Sequence, residues 1–210
     1  MMLYGKIKTI GNVFSSLLGQ SKNLRKRYLP TASADELLNR HYTPTSQKTQ
    51  ALDLGCGDHP RNPFKATDLF GVDINGSPYV NTSQADLSTG PIPFEDNTFD
   101  FCTAFDFIEH IPRNSWSQGK SRLGFLELMN EIYRVLTPGG LLLHRTPAFP
   151  SKQAFQDPTH VNIITEDTMP CYFCEPNIWA KGYGFNGSFE LIEQRWEDDT
   201  WLIGLMRALK

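Results

Sequence analysis

From residue 50 onward, short apolar runs alternate with stretches in which apolar side chains recur every three or four positions. Ala51–Leu54, Leu69–Ile74, Phe99–Ala104 and Leu141–Arg145 are too short for helices and read as buried strands. Between the last two, Phe125, Leu128, Met129, Ile132, Val135 and Leu136 line one face of a helix, and Thr137-Pro138-Gly139-Gly140 stops it. Strands that alternate with helices predict a mostly parallel sheet. Near the C-terminus, Phe189–Trp196 and Thr200–Arg207 flank the acidic turn Glu197-Asp198-Asp199 and predict an antiparallel hairpin that closes it. Upstream, Ser33 is placed to cap a short helix with Asp35 and Glu36 in its first turn and Leu37 and Leu38 facing inward. Leu3, Ile7, Ile10, Phe14, Leu17 and Leu18 form an apolar stripe at helical spacing, so residues 1–40 read as an N-terminal helical arm and residues 41–210 as one domain.

The composition agrees with a single soluble domain, since 40% of the 210 residues are hydrophobic and 20% charged. No apolar run reaches the roughly 18 residues of a spanning helix. Cys56, Cys102, Cys171 and Cys174 are too few and too unevenly spaced for a disulfide framework, which points to a reducing cytoplasm. The net charge of -3 hides an asymmetry. Lys6, Lys8, Lys22, Arg25, Lys26 and Arg27 precede the first acid, Asp35, and the remainder holds 14 basic against 23 acidic residues, a balance of -9. The acidic body argues against nucleic acid as a partner. The basic amphipathic arm, residues 1–27, has two readings: a peripheral anchor on anionic lipid, or a helix packed on the domain and ending in a solvated basic turn.

The segment Ala51-Leu52-Asp53-Leu54-Gly55-Cys56-Gly57-Asp58 is a strand that runs directly into two glycines. Glycine lets the backbone approach a ligand closely at the carboxyl edge of the sheet, where open α/β folds bind ligands. The next strand ends in Val72-Asp73-Ile74, and an acid there suits the two hydroxyls of a ribose. A dinucleotide site would continue as G-x-G-x-x-G into a helix, but the third glycine position is Pro60 and Arg61-Asn62-Pro63-Phe64 cannot begin a long helix. A ligand with adenosine and no pyrophosphate fits better, and S-adenosylmethionine is the common one.

Taken in order, these segments resemble the class I S-adenosylmethionine-dependent methyltransferases over residues 50 to about 150. Leu52–Gly57 resembles that family's first motif and Gly71–Ile74 the second. Ala85-Asp86-Leu87 is similar to the adenine-contacting loop, Phe107–Ile111 to the segment after the fourth strand, and Glu131–Gly140 to the helix and turn before the fifth. The resemblance implies a Rossmann-like, seven-stranded, mostly parallel sheet with an antiparallel C-terminal hairpin. It also implies that Gly55 and Gly57 lie under the methionine part of the cofactor, that Asp73 holds the ribose, that Cys56 and Ile74 are cofactor-binding residues beside them, and that Asp86 and Leu87 contact the adenine. Phe105 and Asp106 would sit beside the sulfonium. Asp53 either contacts the cofactor or accepts backbone bonds from the glycine loop, and Asp86 has a turn cap as its plain alternative. His59, Pro60 and Pro63 depart from the pattern and predict a shortened first crossover helix.

For a hydroxyl acceptor a general base is useful, and His110, His144 and the segment Asp157-Pro158-Thr159-His160 offer one. His160 is the leading candidate, with Asp157 three residues before it to orient the imidazole, because this segment resembles one in family members linked to sugar and surface-polysaccharide modification. His144 otherwise reads as a capped strand end. Met169, Tyr172, Phe173, Trp179, Tyr183 and Phe185 suggest an aromatic lid over a small-molecule acceptor within residues 150–187, or else a satellite core. Cys171-x-x-Cys174 lacks a second pair, so no metal is expected. The expected reaction is O-methylation with S-adenosylhomocysteine as product; the alternative is a catalytically silent module that binds a membrane or protein through the arm.

Overall fold

The computed structural model describes residues 31–117 and 119–210. The amphipathic arm, and with it the anchor reading, lies outside them. Helix α1 (Ala34–His41) starts as expected: the Ser33 hydroxyl accepts from Glu36 N, and the Glu36 carboxylate accepts from Ser33 N. Leu37 and Leu38 are buried by it, while Arg40 and His41 pair with Glu193.

Strands β1 (Gln50–Leu54), β2 (Asp68–Asp73), β3 (Thr82–Gln84) and β4 (Phe99–Phe105) are followed by a 3-10 turn at Ile108–His110. Next come the hairpin β5 (Ser115–Ser117) and β6 (Lys120–Arg122), helix α2 (Gly124–Val135) and β7 (Leu136–Pro147). Two short helices, α3 (Gln153–Gln156) and α4 (Thr168–Tyr172), precede a 3-10 turn at Trp179–Tyr183 and the closing strands β8 (Phe189–Glu197) and β9 (Trp201–Ala208). The main sheet has seven strands in the order β3-β2-β1-β4-β7-β9-β8. β9 runs antiparallel to both β7 and β8, and the other pairs are parallel. This is the expected Rossmann-like sheet with an antiparallel C-terminal hairpin. The chain moves outward from β1 to β3 and returns to β4, so the order reverses between β1 and β4, and the carboxyl edge there is the crevice such sheets offer a ligand.

The first crossover contains no helix at all. Asn62 closes the loop instead, its side chain donating to Ala66 O at 2.9 Å and accepting from Ala66 N at 2.8 Å. Phe64 is buried there, stacked on Phe101 at 4.3 Å and edge-on to Tyr42. With Leu37, Leu38, Leu141, Leu143, Ile203 and Leu205 it forms the core on one face of the sheet.

Thr137–Gly140 does stop the helix, but the chain enters β7 immediately. Those four residues make a bulge between the pairs Phe99–Leu136 and Phe101–Leu141, with Gly139 at φ +78°. β7 is therefore longer than the predicted Leu141–Arg145, and His144 is an interior strand residue, not a capped strand end. Among the described residues, no helix is long and apolar enough to cross a membrane.

Candidate active site

β1 delivers Gly55 and Gly57 to the carboxyl edge at φ +68° and +55°. Gly55 N and Cys56 N both donate to Val72 O, which ties the loop to β2. A Cβ on Gly55 would stand 2.5 Å from the Phe107 ring, so only glycine fits; one on Gly57 would meet no described residue within 4 Å. Asp73 holds the same loop. Its Oδ2 accepts from Gly57 N and its Oδ1 from Asn75 N, both at 2.9 Å.

Asp53 sits beneath the loop with no exposure. Its Oδ1 accepts from Thr103 Oγ1 at 2.5 Å and its Oδ2 from Arg61 N at 2.8 Å. Burial pushes the carboxyl up to about 6 against those two bonds. The backbone bond to Asp53 comes from Arg61, four residues past Gly57, while the amides of Gly55, Cys56 and Gly57 go to Val72 and Asp73. Asp86 caps its turn, accepting from Ser88 N and both the Ser88 and Thr89 hydroxyls, and the Ser88 hydroxyl leads in holding it below the usual carboxylate range. Leu87 is buried beside it, whereas Ile74 is 60% exposed at the end of β2.

At the end of β4, the Arg61 guanidinium lies 5.3 Å from the Phe105 ring centre and donates to Phe105 O. Asp106, in the left-handed region at φ +51°, pairs with Arg145 and accepts from Trp201 Nε1 at 2.8 Å. Arg145 also pairs with Glu197 and stacks over Trp201. The Asp106 carboxylate thus belongs to an ion network with β7 and β9.

Two residues past Phe107, the 3-10 turn meets the segment after β7. Val161 N and Asn162 N both donate to Glu109 O, and Asn162 Nδ2 donates to Ile108 O. This docking brings His110 and His160 together, their ring centres 5.0 Å apart. His160 Nδ1 lies 3.0 Å from Gln153 O. Asp157 does not hold His160 directly, since its Oδ2 is 4.0 Å from His160 Nε2. It instead accepts from Thr159 N and Thr159 Oγ1, which draws its carboxyl below the usual range, and Thr159 in turn contacts His110 Nδ1. Asp157 therefore positions His110 through Thr159. Glu109 is buried at 1% exposure, accepts from Thr146 Oγ1 at 2.8 Å and is pushed up to about 7 by desolvation.

In the segments that follow β7, around Phe149, Ile163 and Thr165, opens a cavity of about 620 Å³, a size suited to a small organic ligand; among the described residues, neither His110 nor His160 lines it. Phe125, Phe149, Tyr172, Trp179 and Tyr183 give it aromatic walls, and Arg113, Asp167 and Thr168 supply polar groups. Arg113 is fixed there by Asn162 Oδ1, which accepts from its Nε at 2.7 Å.

A family model described as a methyltransferase domain matches residues 24–186. The chain belongs to the class I S-adenosylmethionine-dependent methyltransferases. Solved structures with the same fold include an S-adenosylmethionine-dependent methyltransferase from Mesorhizobium loti, at 13% identity and TM-score 0.54 over 84% of this chain and 98% of that one. Another, from Archaeoglobus fulgidus, has 16% identity and TM-score 0.53 over 84% and 95% of the two chains. The [4+2]-cyclase SpnF also superposes, at 15% identity and TM-score 0.55 over 84% of this chain and 79% of that one. At such identities the likeness is of fold alone. No curated protein matches significantly in sequence.

Several residues of this methyltransferase's site escaped the sequence reading. Arg61 and Arg145 flank Phe105 around a second hollow of about 360 Å³ together with Ser33 and Glu197. A lone arginine in a loop and one inside a strand carry no spacing signal. Glu109 lies within Phe107–Ile111 and Asn162 two residues past His160, but their partnership joins chain positions 53 residues apart.

Proposed function

We propose that this methyltransferase binds S-adenosylmethionine across the carboxyl ends of β1, β2 and β4. Its methyl group goes to an oxygen of a small hydroxylated acceptor held in the aromatic-walled cavity, such as a sugar or a surface-polysaccharide precursor. Asp73 carries the reading. Its carboxylate is fixed by the amides of Gly57 and Asn75, and each oxygen keeps a further lone pair for a ribose hydroxyl. The open space beyond Gly57 suits a ligand lying against the backbone.

In this reading Gly55, Cys56 and Gly57 underlie the methionine part, and Arg61 offers its carboxylate a charged partner. The exposed Ile74 and buried Leu87 border the adenine, with Asp86 holding their loop. Phe105 borders the sulfonium, and Asp106 supports it through Arg145 and Trp201 without giving up its own ion pair. The cofactor supplies an electrophilic methyl group. What the protein adds is alignment of the acceptor oxygen and exclusion of water. The acceptor's proton goes to the Nε2 side of His160 or His110, with Asp157 as a positioning residue, and S-adenosylhomocysteine leaves as product.

Calorimetry with S-adenosylhomocysteine tests the assignment. The wild type should bind one equivalent, and Asp73→Ala should lose at least about tenfold in affinity, the worth of a charge-assisted hydrogen bond pair. No binding by the wild type, or undiminished binding by the variant, rejects it.

A further inference from the structure

Glu109 presents an anomaly that proton transfer does not explain. Its Oε2 is bonded to Thr146, but Oε1 is buried with no hydrogen-bond partner among the described residues. A buried carboxylate oxygen left bare is costly, and such oxygens are ordinarily paired or coordinate a cation. One ligand atom from each of Glu109, His110 and His160 lies within 4.8 Å of the others.

Each imidazole has one ring nitrogen free to ligate. His160 Nδ1 is 3.0 Å from Gln153 O, which can only accept, so Nδ1 carries the proton and Nε2 is bare. Thr159 Oγ1 donates its one proton to Asp157 Oδ1 at 2.7 Å, so it accepts from His110 Nδ1 at 3.1 Å, and His110 Nε2 is bare as well. A histidine that ligates a metal is held in this manner, its other ring N–H donated to a carbonyl or to a group backed by a carboxylate. The Glu109 carbonyl anchors Val161 and Asn162, so the two ligand segments are already fastened together. Zinc ligands about 2.1 Å from the metal stand roughly 3.4 Å apart, so the cluster closes by side-chain rotation of about 1 Å.

We propose that Glu109, His110 and His160 bind a divalent transition-metal cation. Two imidazoles and a carboxylate suit zinc or its first-row neighbours and not magnesium or calcium, which take oxygen ligands. Three protein ligands leave a position open for water or an acceptor oxygen, and Asp157 Oδ2, 4.0 Å from His160 Nε2, stands beside it. When bound, the cation would occupy both Nε2 atoms and itself activate the acceptor hydroxyl, whose proton would then pass to Asp157 and not to a histidine; that role rests on the proposed methyl transfer, and the binding does not.

The experiment titrates the chelator-stripped full chain with zinc chloride in a calorimeter, without cofactor. One equivalent should bind, and His110→Ala, His160→Ala and Glu109→Gln should each weaken binding by at least about tenfold. Cys171→Ser should leave it unchanged. Cobalt bound in its place should show no thiolate charge-transfer band. Because His110 lies at the surface, its variant keeps the fold, as near-ultraviolet circular dichroism will verify, and its result stands if Glu109→Gln unfolds. Absence of stoichiometric uptake, uptake undiminished by His110→Ala with His160→Ala, or loss on Cys171→Ser overturns the site. A chain that binds zinc but no S-adenosylhomocysteine would reject the methyltransferase assignment and keep the cation.

Discussion

His144 is the residue whose chemistry departs furthest from its surroundings. It lies in β7 without exposure, neither ring nitrogen has a partner among the described residues, and its ring fills the space that a Cβ on Gly204 would need. Desolvation alone pushes the imidazole down to about 4, so it is neutral in the fold and gains a proton near 6.5 once unfolded. The stability protected by that neutrality is complete above about pH 6.5 and is lost as the pH falls through 4, by about 3 kcal/mol. The His144→Leu variant lacks this loss. Urea unfolding near pH 7.5 and pH 4.5 should show the gap between variant and wild type moving by about 2 to 3 kcal/mol in the variant's favour. A gap independent of pH would contradict a buried neutral histidine. Legibility at this scale followed spacing. Asp73 was readable because it ends a strand that follows a glycine turn, whereas the burial of His144 depends on β9, some 60 residues away in sequence.

At the scale of elements, apolar density decided what could be read. The strands β1, β4 and β9 and helix α2 announce themselves because each buries a run or stripe of apolar residues, and β2 and β8 through shorter apolar groups such as Leu69-Phe70 and Leu191-Ile192. β3 and the β5–β6 hairpin do not, since three-residue strands such as Thr82-Ser83-Gln84 hold almost nothing apolar and exist only by pairing with a neighbour. The first crossover shows the reverse case. Its prolines correctly forbid a long helix, but nothing local says what covers the sheet in its place. Phe64 does so, wedged between Tyr42 and Phe101 and fully buried. Truncating it leaves a cavity that the Asn62–Ala66 clasp keeps from collapsing. Phe64→Ala should therefore cost about 3 to 5 kcal/mol in denaturant unfolding with an unchanged m-value. A cost below about 1 kcal/mol would mean that the crossover repacks and that the clasp does not hold it.

For the whole molecule, the division of the carboxyl edge matters most. The glycine loop and Asp73 stand at the ends of β1 and β2, the His110–His160 cluster follows β4 and β7, and the cavity is lined by α2 and the segments after β7, with Phe107 touching the glycine loop and leading into the turn that carries His110. Under the proposed function, cofactor and acceptor occupy separate parts of the edge, and it should be possible to block one without the other. The cavity is the part that sequence could not place. Its walls come from α2, the Phe149 loop, α4 and the Trp179–Tyr183 turn, elements distant in the chain whose aromatics read equally well as a lid or a core. Leu126 lines it from α2 and is remote in sequence from every cofactor motif. Leu126→Trp, which adds bulk to that wall, should leave S-adenosylhomocysteine affinity within about twofold of wild type. It should reduce transfer of labelled methyl from S-adenosylmethionine into small molecules of a cell extract by more than tenfold, a barrier change above about 1.4 kcal/mol. If transfer survives, the acceptor binds elsewhere along the edge; if cofactor affinity falls in parallel, the two halves of the site are not separate.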